Sequence, residues 1–354
     1  MKNLHDKCRF TNQLIAWYDE NKRILPWRDE PLPYYVWVSE IMLQQTRVEA
    51  VKPYFERFIK ALPTLHDLAM CEDDTLAKLW EGLGYYNRVR NMKKCALQCV
   101  EKYAGELPST YEQLVALPGI GVYTAGAIAS IAFHRKVPAV DGNVLRVFSR
   151  VLVSEDDILK ESTKKKFQAI IQTYIPDRPD AFNQALMELG AMICVPNAAP
   201  RCNICPVADV CLGFQSGQAM RLPNKTKKKA RRIEKKTILV IIAKGKVHLQ
   251  QRPKEGLLAH LYEFDSMDGH PNKKAISERL HTQVEIVKMV KLPAAKHIFT
   301  HIEWHMKGYL VEIKEENMIQ GIWADMQEIQ NIYALPTAYK VYRKALLDHY
   351  EVSK

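Results

Sequence analysis

Leu117-Pro118-Gly119-Ile120-Gly121 is the stretch from which the rest of the chain is read. It lies between two runs of helical spacing, residues 111–116 and 123–133, so a tight glycine-bearing turn joins two helices. Such a turn exposes backbone N–H groups beside a helix N-terminus. That is an anion site, suited to holding a phosphate without reading a base. Many helix pairs are joined by glycine-rich turns for packing alone, so the remaining sequence has to decide between the two uses.

Upstream of the turn, apolar residues keep recurring at helical spacing, as in Leu14, Ile15, Trp17 and Tyr18, then Leu65, Leu68, Ala69, Leu76 and Leu79. Downstream the pattern changes. Residues 237–243, 247–251 and 302–313 are β-type; in the last, Ile302, Trp304 and Met306 alternate with Glu303, His305 and Lys307, as in a half-buried strand. A closing helix is predicted over 325–350, broken at Pro336. The predicted architecture is an all-α domain over 1–222, a basic interdomain linker over 223–236, and an α+β domain over 237–354. A chain of 354 residues accommodates two domains, and 47% hydrophobic with 26% charged residues is a folded composition, against a disordered or disulfide-stapled chain. No apolar run approaches the ~20 residues of a membrane helix, and none follows the basic start, so no signal peptide, no membrane association and a cytoplasmic location are expected.

The net charge of +11 is concentrated. Residues 225–236 hold eight basic residues and one acidic residue, whereas 1–224 and 237–354 are each nearly balanced. Such a run attracts polyanions, and it is equally the composition of a solvated linker.

Four of the eight cysteines, Cys194, Cys202, Cys205 and Cys211, fall in one proline-bearing loop spaced C-x7-C-x2-C-x5-C. A reducing compartment argues against disulfides. Paired zinc knuckles would show two C-x2-C pairs, so four irregularly spaced thiolates fit a [4Fe–4S] cluster better than zinc. The other four, Cys8, Cys71, Cys95 and Cys99, are scattered.

Two carboxylates stand out by their neighbours. Glu40 sits within an apolar helical stretch, residues 36–43; facing a pocket, it would be desolvated and become a usable general acid near neutrality, and facing solvent it would be ordinary. Asp141 precedes a helical run at 143–150 and reads as an N-cap that becomes a reacting group only if the helix end opens into the same cleft. One protonated and one ionised carboxyl are what glycosidic bond cleavage requires.

Taken together, these motifs resemble the adenine DNA glycosylases of the helix-hairpin-helix, endonuclease III superfamily. The resemblance rests on PWR (26–28), VSEIMLQQT (38–46), EGLGYYNR (81–88), LPGIGVYTAGAIAS (117–130), VDGNVLRV (140–147) and the cysteine loop. It implies an all-α helix-hairpin-helix glycosylase domain with an iron–sulfur loop, then a Nudix-like α+β domain that recognises 8-oxoguanine. Endonuclease III carries a Schiff-base lysine where this chain has Tyr123, and lacks the equivalent of Glu40, so a monofunctional glycosylase is expected rather than a lyase acting on oxidised pyrimidines. A DNA-binding iron–sulfur sensor would leave Glu40 and Asp141 without a role. The cysteine loop departs in its first gap, seven residues against the usual six. Residues 256–264 resemble the opening Nudix segment, and the acidic Nudix box is missing between Gly269 and Glu285, so no pyrophosphatase activity is expected.

Carried over position by position, the resemblance makes Glu40 the acid that protonates adenine at N7 and Asp141 the stabiliser of the oxocarbenium-like sugar, with Tyr123 and Asn143 orienting them. Trp27, Arg28, Leu43, Val48 and Gln184 would surround the flipped base. Gln45, Thr46, Leu83 and Tyr85 would engage the opened duplex, and Gly119 and Gly121 the phosphates. Phe299, Thr300 and His301 stand where the family has its lesion-reading Phe-Ser-His. Trp37 and Trp80 are assigned to the core. The implied cofactor is one [4Fe–4S] cluster and the implied partner double-stranded DNA with adenine opposite 8-oxoguanine or guanine, bound by a monomer.

Overall fold

The computed structural model describes residues 4–196, 198–226, 230–282 and 284–352. Two compact units emerge, Met1–Met70 with Arg90–Lys227, and Cys71–Val89 with Lys228–Lys354. The sequence reading put the whole of 1–222 in one domain, whereas residues 71–89 pack with the second unit. Lys78 Nζ donates to the carbonyls of Ile329 and Tyr333, the Tyr262 hydroxyl donates to Asp74, and Glu81 accepts from the Leu335 amide and from Arg343. These partners lie more than 180 residues away in sequence, beyond the reach of any local pattern.

The first unit is helical. Leu4–Asn21 and Pro179–Met192 pack with Gly142–Leu152 around Phe10, Leu14, Val144, Phe148, Phe182 and Leu186. The hairpin is present as Tyr111–Val115, a turn with Gly119 at φ 75°, and Val122–Ile131. A Cβ on Gly119 would lie 2.6 Å from Cβ of Asn91, so glycine is required there by both backbone and space. Among the described residues no helix is long and apolar enough to cross a membrane.

Among the described residues the second unit is built on seven strands: β1 (Arg232–Ala243), β2 (Lys246–Gln251), β3 (Tyr262–Glu263), β4 (Asp265–Asp268), β5 (Ile286–Ile298), β6 (Ile302–Ile313) and β7 (Ile322–Ala324). The order is β3-β2-β1-β6-β5, with β4 on β1 and β7 on β2. β1 begins inside the basic run, because Arg232 to Ile242 pair in parallel register with Ile302 to Glu312 of β6. The expected linker 223–236 is therefore partly strand; Lys227, Lys228 and Lys229 lie outside the described residues. Alternate β1 residues feed two cores. Ile238, Val240 and Ile242 meet Tyr342 and Leu346 of helix Lys340–Val352, while Leu239, Ile241 and Ala243 meet Ile276 and Leu280 of helix Lys273–His281. A strand buried on both faces reads as a continuous apolar run, which is why 237–243 was legible. The closing helical region is interrupted over 332–336, a break that ends at Pro336, where the sequence places it, but begins earlier, after Asn331.

His248 on β2 is buried, and both its ring nitrogens meet acceptors, Nδ1 the Asp265 carboxylate at 2.6 Å and Nε2 the Gln320 carbonyl at 3.1 Å. Only the doubly protonated ring satisfies both. Burial alone lowers its pKa, but the Asp265 carboxylate and the Gln320 carbonyl together leave it raised. The stabilisation is thus complete below the ordinary histidine value, falls above about pH 6.5, and is gone once pH exceeds the raised value. Thermal unfolding across pH 5.5 to 9 is expected to show that loss in the wild type and not in His248→Gln; parallel profiles would contradict it.

Candidate active site

Helix Pro33–Leu43 starts on proline and is apolar around its whole circumference, with residues 36–42 all buried. Glu40 is carried inside with them, only 6% exposed. Its partner is Tyr123 on helix Val122–Ile131, whose hydroxyl donates to Oε2 at 2.5 Å. Burial pushes the Glu40 carboxyl up to about 7; the Tyr123 hydrogen bond pulls it down and the nearby Asp141 charge pushes it up. Burial holds the Tyr123 phenol well above its ordinary range, so it remains a donor.

Asp141 is placed by a crossing of chain over helix. Residues 137–140 pass directly against Gly126, where a Cβ would stand 2.3 Å from the Pro138 carbonyl oxygen. Asn183, fully buried, holds the same segment: its Oδ1 accepts from the Ala139 amide at 2.9 Å and its Nδ2 donates to the Val137 carbonyl at 2.9 Å. Asp141 then caps helix Gly142–Leu152, accepting from the amides of Asn143 and Val144 at 2.9 and 2.8 Å and from Asn143 Nδ2 at 2.7 Å. Burial raises the Asp141 pKa, and these three donors oppose the rise by favouring the carboxylate.

Both carboxyls line one cavity of about 1000 Å³. Trp27, Arg28, Leu43, Gln45, Thr46, Val48, Tyr123, Asn143 and Gln184 line it too, so the structure brings together every residue that the sequence assigned to chemistry and base pocket. Sequence reasoning missed Glu188 and Arg23, also in the wall. Glu188 is fully buried and accepts from Arg23 Nε and Nη2 at 2.7 and 2.9 Å and from Arg28 Nη2 at 2.7 Å. It stands four residues after Gln184 on helix Pro179–Met192, a helix not predicted from the sequence. Gln45 stands at φ 61°, a strained setting for a residue with a side chain. Gly119 and Gly121 stay in the hairpin turn and do not line the cavity.

Four thiols, Cys194, Cys202, Cys205 and Cys211, line a second, small cavity walled by Val147, Val151, Leu189 and Val207. Among the described residues no three Cys, His, Asp or Glu side chains meet at a single-ion position. Arg150 Nη1 donates to Cys194 Sγ at 3.2 Å, and Arg146 Nε to the Cys194 carbonyl at 2.8 Å. Arg146 Nη2 also donates to Asn143 Oδ1 at 3.0 Å, so an unbroken hydrogen-bonded path runs from Asp141 through Asn143 and Arg146 to the backbone of Cys194. Burial pushes the Cys205 thiol up to about 12 and raises Cys202 and Cys211.

In the second unit, Phe299, Thr300 and His301 form the tip between β5 and β6. Phe299 is anchored against Trp304 at 4.9 Å, and the Phe299 carbonyl accepts from Arg231. Thr300 and His301 are exposed. Leu83 is 6% exposed and Tyr85 49%, so only Tyr85 of this predicted pair presents its surface. Trp37 is fully buried, as is Trp80, whose indole N–H also donates to the Gly84 carbonyl.

Residues 38–173 match the HhH-GPD superfamily of base excision DNA repair proteins, and 237–345 match the NUDIX domain. The chain is 33% identical to the adenine DNA glycosylase of Rattus norvegicus, covering 96% of this chain and 78% of that protein. It is 31% identical to that of Buchnera aphidicola subsp. Schizaphis graminum, covering 91% and 94%. The chain belongs to the adenine DNA glycosylase family. The fold of this glycosylase's helical part is that of a trapped endonuclease III–DNA intermediate, at TM-score 0.52 and 23% identity over 61% of this chain and 99% of that one. At the hairpin this adenine DNA glycosylase family member offers a phenol bonded to Glu40.

The Asn183 side chain bonds backbone at Val137, Ala139 and Pro179, and so holds the segment that delivers Asp141. Asn183→Ala in this glycosylase leaves buried backbone groups unpaired, at a cost of about 3 kcal/mol. Chemical denaturation is expected to show that loss, and single-turnover excision a fall of more than tenfold. Wild-type excision in the folded variant would contradict the positioning role.

Proposed function

We propose that this DNA glycosylase removes adenine paired with 8-oxoguanine or guanine, hydrolysing the N-glycosidic bond after the base is flipped into the Glu40 cavity, and that it works as a monomer. The observation that carries the reading is a buried carboxyl held near pKa 7 in the same cavity as a carboxylate capped by three N–H donors. Glu40 delivers its proton to adenine N7, so the base leaves as a neutral purine rather than as an anion. Asp141, whose ionised form the cap favours, stands against the positive charge developing on the sugar and bonds to it transiently before water completes hydrolysis. Tyr123 steers Glu40, Asn143 steers Asp141, and the Arg28–Glu188 pair supplies a rigid polar wall for the purine edge. The alternative lyase needs an amine nucleophile, and the hairpin position it would occupy is Tyr123.

The base left opposite is read by the second unit, with the Thr300 hydroxyl directed to the N7–H and O8 edge that separates 8-oxoguanine from guanine, and Phe299 and His301 fixing the tip. Four soft thiols around one apolar cavity, with a guanidinium on one sulfur and no carboxylate in the wall, fit a [4Fe–4S] cluster held by Cys194, Cys202, Cys205 and Cys211. Bound there, a cluster supplies four metal–thiolate bonds that cross-link the loop; Arg146 and Arg150 tie the Cys194 end of that loop to the helix capped by Asp141.

Glu40→Gln is expected to slow single-turnover excision at least a hundredfold, opposite 8-oxoguanine and guanine alike. Glu40 acts only when protonated, so the wild-type rate should fall as pH rises through about 7. Because the Tyr123 hydrogen bond lowers the Glu40 pKa, Tyr123→Phe should move that alkaline limb upward. Excision within a few-fold of wild type in Glu40→Gln would remove the assignment.

Metal analysis of protein purified without oxygen is expected to give about four irons per chain, and Cys202→Ser to lose most of them. Stoichiometric zinc in colourless protein would overturn the cluster.

A further inference from the structure

The turn that presents Tyr85 is held in a backbone conformation that it would not choose alone. Gly82, Gly84 and Tyr85 stand at φ 105°, 68° and 49°. Nothing lies within 4 Å of a Cβ built on Gly84, so it is the left-handed backbone, and not crowding, that favours glycine there. Tyr85 has no such freedom, and a bulky residue stays at positive φ only where its surroundings over-determine it.

Those surroundings centre on Arg88. Its Nη2 donates to the Leu83 carbonyl at 3.0 Å and to the Gly84 carbonyl at 3.1 Å. The Trp80 indole N–H donates to the same Gly84 carbonyl at 3.0 Å. The guanidinium carbon lies 5.3 Å from the Trp80 ring centre and 5.4 Å from that of Tyr85, a cation held by two aromatic rings. From this clamp the Tyr85 side chain emerges half exposed, with its hydroxyl 3.3 Å from Thr300 Oγ1. A flat guanidinium that lies between two rings while one of its nitrogens reaches two carbonyls is a task to which the compact ammonium of lysine is less suited.

We propose that Arg88 is a positioning residue that locks turn 82–85 before DNA arrives, so that Tyr85 meets the duplex and Thr300 meets the base opposite the target in one preset arrangement. This rests on the assignment of Thr300 made above. A turn ordered during folding does not have to be ordered on binding, so more of the contact energy is available to unstack the duplex and extrude the base.

The test uses the full-length protein and two substrates, adenine opposite 8-oxoguanine in a duplex and adenine already unpaired in a bubble. Arg88→Lys is expected to lower the duplex-to-bubble ratio of single-turnover rates at least tenfold, with a melting temperature within a few degrees of wild type. In a Tyr85→Ala background the same substitution should shift the ratio less than twofold, since no wedge remains to be positioned. An unaltered ratio, or equal losses in both backgrounds, overturns the proposal. Should Arg88→Lys fail to fold, Trp80→Phe deletes only the N–H on the Gly84 carbonyl and ring area; it is expected to lower the ratio two- to fivefold, and no change overturns the proposal. Failure of the underlying assignment reads differently: wild-type rates equal opposite 8-oxoguanine and guanine would remove lesion reading by Thr300, while the bubble ratio still reports the turn.

Discussion

A carboxyl group on a helix that is apolar all round must be neutral, or partnered, or both. Glu40 is in that position, and its hydrogen-bond partner among the described residues, Tyr123, comes from a helix made largely of small residues. Burial and one neutral donor leave the carboxyl near neutrality, which is the condition for delivering a proton at physiological pH. The same small residues let residues 137–140 cross over Gly126, and it is this crossing that brings Asp141 into the cavity. The close approach of chain to helix at Gly126 and the burial of Glu40 are therefore parts of one packing arrangement.

The two carboxyls differ in what surrounds them and not in what they are. Glu40 has a phenol; Asp141 has two backbone amides and a side-chain amide at the end of a helix whose dipole favours negative charge. Burial raises both, and at Asp141 three N–H donors oppose a rise that burial still dominates. Asn143 has to hold its rotamer for this to work, and Arg146 bonds its oxygen while also bonding the Gly190 and Cys194 carbonyls. The cysteine loop thus meets the helix capped by Asp141 through a buried arginine, and hydrogen bonds run from the Cys194 carbonyl through Arg146 and Asn143 to Asp141.

How much of this was legible follows from the range of each signal. Helix Pro33–Leu43, the hairpin, β1, β2 and β6 were readable because burial imposes a local period on sequence. β5 was not: it is an edge strand with register shifts after Ile286 and after Leu292, and from Ile286 to Ala295 its half-buried residues recur every third position rather than every second. Helix Lys273–His281 buries only Ile276 and Leu280, too few to make a stripe. The motif resemblance named Glu40, Asp141, Tyr123 and most of the cavity wall, yet Asn183 and Glu188 escaped it. Their partners, at residues 137–139 and at Arg23 and Arg28, are distant in sequence and appear only once the helices are packed. The attachment of 71–89 to the second unit escaped for the same reason.

Strain is distributed in a way that composition cannot reveal. Gln45 at φ 61° and Tyr85 at φ 49° are two of the non-glycine residues in left-handed backbone, and both are positions assigned to the opened duplex. Flexible loops in these places would have to be ordered against DNA while the stack is being broken, adding an entropy loss to the cost of extrusion. Arg88 and Trp80 hold the turn before Tyr85 instead, so it keeps its shape at the expense of folding stability. A repair enzyme that must interrogate many undamaged pairs for each lesion gains from placing that expense in folding, where it is met once, rather than in every encounter.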